Sequence, residues 1–383
     1  MSPHPEPTVH GHVAPGFEGV GAAMVANVVE HGEVGAAVCV HVDGEVVVDC
    51  WVGHRDEGRS EPWAADTLVD VYSVGKAIVS VLVLQLVDEG RIGLDDPVAE
   101  HWPEFAAGGK ERATVRHLLS HRAGVPAIRE PLTDGDLFDF HRMVAAVAAT
   151  EAWWPPGERH VYHTNTFGHL TGGLLHAVTG RGPGALLRER VTGPLGADVH
   201  FGVPDGDLHR CAELIWAGDR PIWQDVDLDA LEPDQRMTLL SYANPPGYSS
   251  VGVVNSTAWR QAEIPSTNGH ATARGVAAVY QGLLDGRLLS DELLAEATRA
   301  QSSGWCPTLA QDVTFGLGFQ PWTENRPLGR TPGGYGHFGT GGSLGFADPA
   351  RRIAFGYVMN HVIPRWQSPR NRALVDALYA ALG

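Results

Sequence analysis

From Gly35 to Val52 the chain is dense in valine and alanine, and the run is broken at Asp43-Gly44. Two β-branched stretches on either side of Asp-Gly are the signature of a β-hairpin. Closing it with a two-residue loop puts Cys39 opposite Val48 and Cys50 opposite Ala37, so the two thiols share a face but sit diagonally, poorly placed for a bridge. Thr67 to Gly90 then reads as a short extended entry followed by a helix. That helix is apolar nearly all round (Ala77, Ile78, Val79, Val81, Leu82, Val83, Leu84, Leu86, Val87) and stops at Gly90. A helix without a polar face is covered on every side, so it is central. Helical patterns and loops continue to about Leu289. Strand patterns return at Gly316 to Phe319, Gly336 to Thr340 and Ile353 to Met359. Ser368 as cap and Pro369 at the first position open a last helix, with Leu374, Leu378 and Leu382 on one stripe.

Strands near both ends and helices between them predict an α/β layer architecture: one sheet assembled from the two termini, with a helical region inserted. The composition is globular, with 43% hydrophobic and 19% charged residues over 383 positions. A net charge of -17 repels phosphate backbones and anionic lipid, so neither nucleic acid nor a membrane is expected as a partner. Met1 to Val13 has no basic stretch followed by an apolar one, and the run Ala77 to Val87 is too short to cross a bilayer. The expected compartment is the cytoplasm. Cys39, Cys50, Cys211 and Cys306 are then expected as buried free thiols.

Ser73-Val74-Gly75-Lys76 opens the buried helix. Residues three apart share a helix face, so Lys76 reaches the Ser73 hydroxyl. At a helix N-terminus the dipole favours negative charge developing on oxygen, and burial lowers a lysine's pKa toward a range where the amine accepts a proton. The chain has two lysines, Lys76 and Lys110, and 15 serines. Chance placement of so few lysines gives about 0.08 Ser-x-x-Lys matches. A rival serine lies in Gly341-Gly342-Ser343-Leu344-Gly345, which fits the Gly-x-Ser-x-Gly elbow. That elbow needs a helix after it, whereas Ile353 to Tyr357 reads as strand, so Ser343 is expected in a turn between strands. His117 and His121 have a metal-compatible spacing without the intervening glutamate of a zinc protease, and no metal is expected there. Asp56-Glu57 and Asp225 to Asp229 read as solvated surface. Trp153, Trp154 and Trp305 fit an acyl pocket and plain packing equally well.

These residues resemble the class C β-lactamases and the family VIII carboxylesterases built on the same fold. The likeness runs from about Ala36 to Tyr379. It rests on Ser73-Val74-Gly75-Lys76, on Thr114 to Gly124, on Pro156-Gly157 leading to Tyr162-His163-Thr164-Asn165, on Phe315 to Phe319 and on His337-Phe338-Gly339-Thr340-Gly341-Gly342-Ser343. It implies a β-lactamase/transpeptidase-like fold: an antiparallel sheet from residues 1–66 and 268–383, flanked by helices, and a mainly helical part at 67–267, with the active site between them. It also implies that Ser73 is acylated, that Lys76 and Tyr162 share the base role, and that the Ser73 and Thr340 amides form the oxyanion hole. Two motif positions depart from the lactamases. Thr164 stands where Tyr-x-Asn has its asparagine, with Asn165 one place late, and His337 stands where Lys-Thr-Gly has its lysine. Both departures point away from carboxylated β-lactams and toward neutral esters, with Thr164 and Gly339 lining the substrate site and His337 positioning Tyr162 or the substrate. The implied activity is a carboxylesterase acting on small to medium acyl esters, without cofactor or metal. An acyltransferase using the same acyl-enzyme, an amidase or β-lactamase, and a non-catalytic penicillin-binding relative are the alternatives.

Overall fold

A computed structural model describes residues 7–216, 226–249, 252–363 and 365–383. The first six residues and Asp225 of the acidic stretch lie outside the described residues, while Asp227 and Asp229 are exposed. Seven antiparallel strands form the main sheet: β1 (His10–Val13), β2 (Gly35–Val42), β3 (Glu45–Gly53), β4 (Gln320–Pro321), β5 (Tyr335–Phe338), β6 (Leu344–Asp348) and β7 (Ile353–Met359). Their order is β1-β3-β2-β7-β6-β5-β4, so β2 from the N-terminal part pairs with β7 from the C-terminal part. The sheet is thus built from both termini, as the sequence pattern predicts. Helices α1 (Glu18–His31) and α5 (Pro369–Leu382) pack together, and α4 (Ala273–Leu284) lies against β2, β6 and β7. Ser368 caps α5 with a full capping box and Pro369 at its first turn.

Two expectations are corrected. A β-bulge between Val40 and His41 inserts one extra residue into the hairpin, so Cys39 faces Asp49 and Cys50 faces Val38. The two thiols therefore point to opposite faces of the sheet, and not to one face. All four cysteines are free and buried. Gly316 to Phe319 is not a strand. Its amides bond outward, Leu317 to the Ala297 carbonyl and Gly318 to the Leu119 carbonyl, both at 2.8 Å, so the segment crosses other elements as a loop.

Residues between the two sheet-forming parts are mainly helical. The long members are α2 (Val74–Asp88), buried from Val74 through Leu84, and α3 (Thr166–Thr179), which packs on it. Beside them, Val69–Asp70, Val199–His200 and His270–Ala271 pair as a small three-stranded sheet. This small sheet ties the entry of α2 to the entry of α4. Strand β5, second from the edge of the main sheet, contacts α2, so α2 packs beside that sheet. Among the described residues no helix is long and apolar enough to cross a membrane.

Candidate active site

The chain enters α2 through a strained corner. One Asp70 carboxylate oxygen accepts the Tyr72 N–H at 2.7 Å, and the other accepts the Trp259 indole N–H at 2.9 Å. The turn holds Tyr72 at φ 48°, a left-handed conformation that costs a residue with a Cβ about 1–2 kcal/mol. Burial pushes the Asp70 carboxyl up to about 8. Ser73 follows at the helix cap, with its side chain facing the interior and 4% of the residue exposed.

Lys76, one turn on, is fully buried. Its Nζ donates to the carbonyls of Thr164 at 2.6 Å and Ser266 at 2.8 Å, and lies 3.0 Å from Ser73 Oγ. Gly75 makes the second carbonyl reachable, because any Cβ there would run into the Pro265 carbonyl. With both carbonyls taking N–H groups, the remaining position on Nζ points at Ser73. Burial holds Lys76 well below the ordinary lysine value. Burial thus favours loss of a proton from the amine that stands against the Ser73 hydroxyl.

Tyr162 completes the cluster from the other side, its hydroxyl donating to Ser73 Oγ at 2.9 Å. The ring is walled by Phe315 at 5.3 Å, His121 at 4.8 Å and Trp366 at 5.2 Å, with Lys76 Nζ 4.8 Å from its centre. Its backbone N–H donates to Cys306 Sγ, which gives that buried thiol a place beside the site. Burial raises the phenol well above its ordinary value, opposed by the Ser73 hydrogen bond. In both groups burial disfavours the charged form, lowering the lysine and raising the phenol.

His337, on β5, is fully buried, and its ring stands 6.2 Å from that of Tyr162. Nδ1–H donates to the Phe338 carbonyl at 2.7 Å, and burial, with a smaller contribution from Lys76, holds the imidazole down to about 3. Thr340 is half-buried in the turn after β5. Neither the Ser73 nor the Thr340 N–H has a backbone acceptor among the described residues. Gly339 sits where a Cβ would strike both the Ser343 hydroxyl and the Val71 carbonyl. The rival Ser343 is fully buried and donates to that Val71 carbonyl at 3.1 Å, pinning β6 to the residues that lead into Ser73.

Thr164 reaches the cluster through its carbonyl, which binds Lys76. Asn165 turns away, its amide spent on the Ser241 carbonyl and the Thr267 hydroxyl at 2.7 Å each. His117 belongs to the capping box of the helix Val115–Leu119, and His121 packs among Tyr162, Phe167 and Phe315. No cluster of three or more His, Cys, Asp or Glu is arranged to hold a metal among the described residues. Trp153 and Trp154 join a small cluster with Ala127 and Val161, while Trp305 is exposed. Asp56 caps the amides of Ser60 and Glu61 in a surface turn, beside an exposed Glu57. Sequence reasoning missed Asp70, Ser266 and Trp366. Asp70 carried a faint signal, an acid three residues before the serine, whereas Ser266 acts through its backbone and leaves none.

A family model described as beta-lactamase matches residues 20–380. The chain is 35% identical over 348 residues to the esterase/beta-lactamase LipL of Mycobacterium tuberculosis (strain ATCC 25618 / H37Rv), covering 86% of this chain and 77% of LipL. The crystal structure of a family VIII carboxylesterase superposes with a TM-score of 0.89 at 36% identity, covering 98% of this chain and 100% of that one. A penicillin-binding protein homologue from Caulobacter crescentus superposes at 0.88 with 34% identity, over 98% of this chain and 100% of its own. With its antiparallel sheet, its flanking helices and a family match over nearly its whole length, the chain belongs to the beta-lactamase family of serine hydrolases.

Proposed function

We propose that this protein is a carboxylesterase that cleaves small to medium acyl esters through an acyl-enzyme on Ser73. The observation that carries the reading is the position of Ser73 Oγ between Lys76 Nζ at 3.0 Å and the Tyr162 hydroxyl at 2.9 Å. Ser73 Oγ attacks the ester carbonyl carbon, and its proton passes to the Lys76–Tyr162 pair. Charge on the carbonyl oxygen is met by the Ser73 and Thr340 amides, where one such donor is worth about 10²–10³ in rate. The pair returns the proton to the departing alkoxide. Water then attacks the acyl carbon along the same route and releases the acid. Two coupled groups titrate together, so the pair and not either member is the base.

Esters are favoured over carboxylated β-lactams by two features of the site. The neutral His337 offers no fixed charge to a substrate carboxylate, and Asn165 is turned away toward Ser241 and Thr267. The family VIII carboxylesterase supports the same choice, while LipL is named as both esterase and beta-lactamase. We also propose a cytoplasmic setting and a small-molecule ester as the only partner the reaction requires; the four free thiols support that compartment. Hydrolysis of p-nitrophenyl acetate through decanoate, measured beside a chromogenic cephalosporin, tests the assignment. Ester turnover lost in Ser73→Ala, with little cephalosporin cleavage, is the expected result. Cephalosporin turnover matching or exceeding that of the esters would refute the substrate choice.

A further inference from the structure

The lactamases of this family keep a lysine at the head of their third motif, and here that place holds a buried, neutral imidazole. A cation nevertheless lies one indole away from Tyr162, supplied by a different element. Between β4 and β5 the chain makes a tight turn in which the Arg326 N–H donates to the Thr323 carbonyl at 3.0 Å. The turn lays the Arg326 guanidinium over the Trp366 indole, 4.4 Å from the ring centre. That same indole stands edge-on to Tyr162 at 5.2 Å and to His337 at 6.0 Å. Among the described residues no carboxylate pairs with Arg326, and its Nη1 is buried without a hydrogen-bond partner. A guanidinium in a strongly acidic chain normally finds a carboxylate. This one is held on an aromatic face instead, and its charge is left unneutralised.

We propose that Arg326, seated on Trp366, supplies the positive charge beside Tyr162 that His337 lacks, and thereby keeps the Ser73–Lys76–Tyr162 cluster in its proton-accepting state. The inference rests on the esterase reading above and adds a positioning residue to it. Arg326 is half-buried with its Nη1 covered, and its charge acts on Tyr162 across the Trp366 indole.

The groups facing the phenol come from several elements. Lys76 approaches from α2, Tyr242 from the helix Pro233–Ala243, Cys306 from the hairpin Ser302–Phe315 and His337 from β5. His121 packs directly on the ring, with His160 and His163 close behind it. Burial holds His121, His160, His163 and His337 below the ordinary imidazole value and Tyr242 above the ordinary phenol value. Arg326 is pushed down to about 10 by burial and stays charged at neutral pH. Its attraction for a phenolate and its repulsion of an added proton act in the same direction.

The test is the pH profile of kcat/KM for p-nitrophenyl acetate, with the full chain as wild type, Arg326→Gln and Arg326→Lys. A nearby cation opposes protonation of the cluster, whichever of Lys76 or Tyr162 takes the proton, so its removal raises the apparent pKa of the acid limb. Arg326→Gln is expected to move that limb up by about one pH unit. Arg326→Lys is expected to restore it. Arg326→Met, which keeps apolar cover on Trp366, gives the same shift and serves where the Gln variant folds poorly. A fall in kcat/KM that is uniform across pH, with the limb unmoved, would show a packing role and overturn the inference. Loss confined to carboxylate-bearing esters, again with the limb unmoved, would make Arg326 a substrate anchor and overturn it as well. A wild type without any ester turnover would overturn the esterase reading itself, and this inference with it.

Discussion

The two lysines of the chain occupy sites that are alike in burial and in backbone partners. Both are fully buried, both donate to two backbone carbonyls, and both lie over an aromatic ring. Lys110 bonds the carbonyls of Ala107 and Thr150 and stands over Phe105. Burial brings it down to about 8, with the Glu151 carboxylate pulling the other way. Lys76 lacks a carboxylate among the influences on its charge and has a third partner, the hydroxyl of Ser73, itself bonded to a phenol. A buried, readily deprotonated amine is therefore not enough to mark a catalytic base. What separates the two sites is the Ser73 hydroxyl, 3.0 Å from the amine at position 76, where the amine at 110 meets backbone carbonyls. The rarity of lysine in this chain marked two buried places, and the Ser-x-x-Lys spacing chose between them.

The contrast is tested first by removing the ability to lose a proton while keeping a cation. Lys76→Arg is expected to lower kcat for ester hydrolysis by about 10³-fold or more, because a guanidinium does not serve as a base near neutral pH. Lys110→Arg, assayed in parallel, is expected to leave kcat within about twofold; an equal loss at both positions would erase the distinction. Next in size is Tyr162→Phe, which deletes the hydroxyl on the far side of Ser73 and is expected to cost about 10²–10³-fold in kcat. Ser343→Ala removes a hydroxyl that pins a backbone carbonyl near Ser73, and a reduction of about 10-fold or less is expected, far short of abolition. The smallest effect concerns stability alone. A lysine whose folded pKa is about 8 against an ordinary 10.5 is protonated more readily in the unfolded chain. Its contribution to stability therefore rises as pH climbs from about 8 to about 10.5 and is absent below that window. Thermal unfolding of Lys110→Met across this range should lack that part of the rise; a curve parallel to wild type would mean that the burial of Lys110 is not felt energetically.

Much of this was legible in the sequence where the relation is local. The place of Ser73 beside Lys76 follows from three residues of helical spacing, and the closing helix follows from Ser368-Pro369. The hairpin was legible as a hairpin, but its register was not, because the bulge at Val40/His41 has no signature in a run of valines and alanines. Gly316 to Phe319 looked like strand by its alternation, yet its amides serve Ala297 and Leu119 carbonyls that no local pattern reveals. Tyr162 and His337 were placed near Ser73 by family resemblance and not by spacing, since tertiary packing alone brings together positions about ninety and more residues apart. The carbonyls of Thr164 and Ser266, which orient Lys76, carry no side-chain signal at all. Asp70 and Arg326 were legible only as charged letters, and their meaning came from the burial of one and the missing counter-ion of the other.

The central claim is that Ser73 becomes a nucleophile because the buried Lys76–Tyr162 pair beside it takes its proton. The most direct measurement is covalent labelling by a fluorophosphonate as a function of pH, with the modified peptide mapped by mass spectrometry in wild type and Lys76→Arg. A single adduct on Ser73, formed faster as pH rises and largely lost in Lys76→Arg, is the predicted result. An adduct on Ser343, or labelling of Ser73 undiminished in Lys76→Arg, would contradict the account.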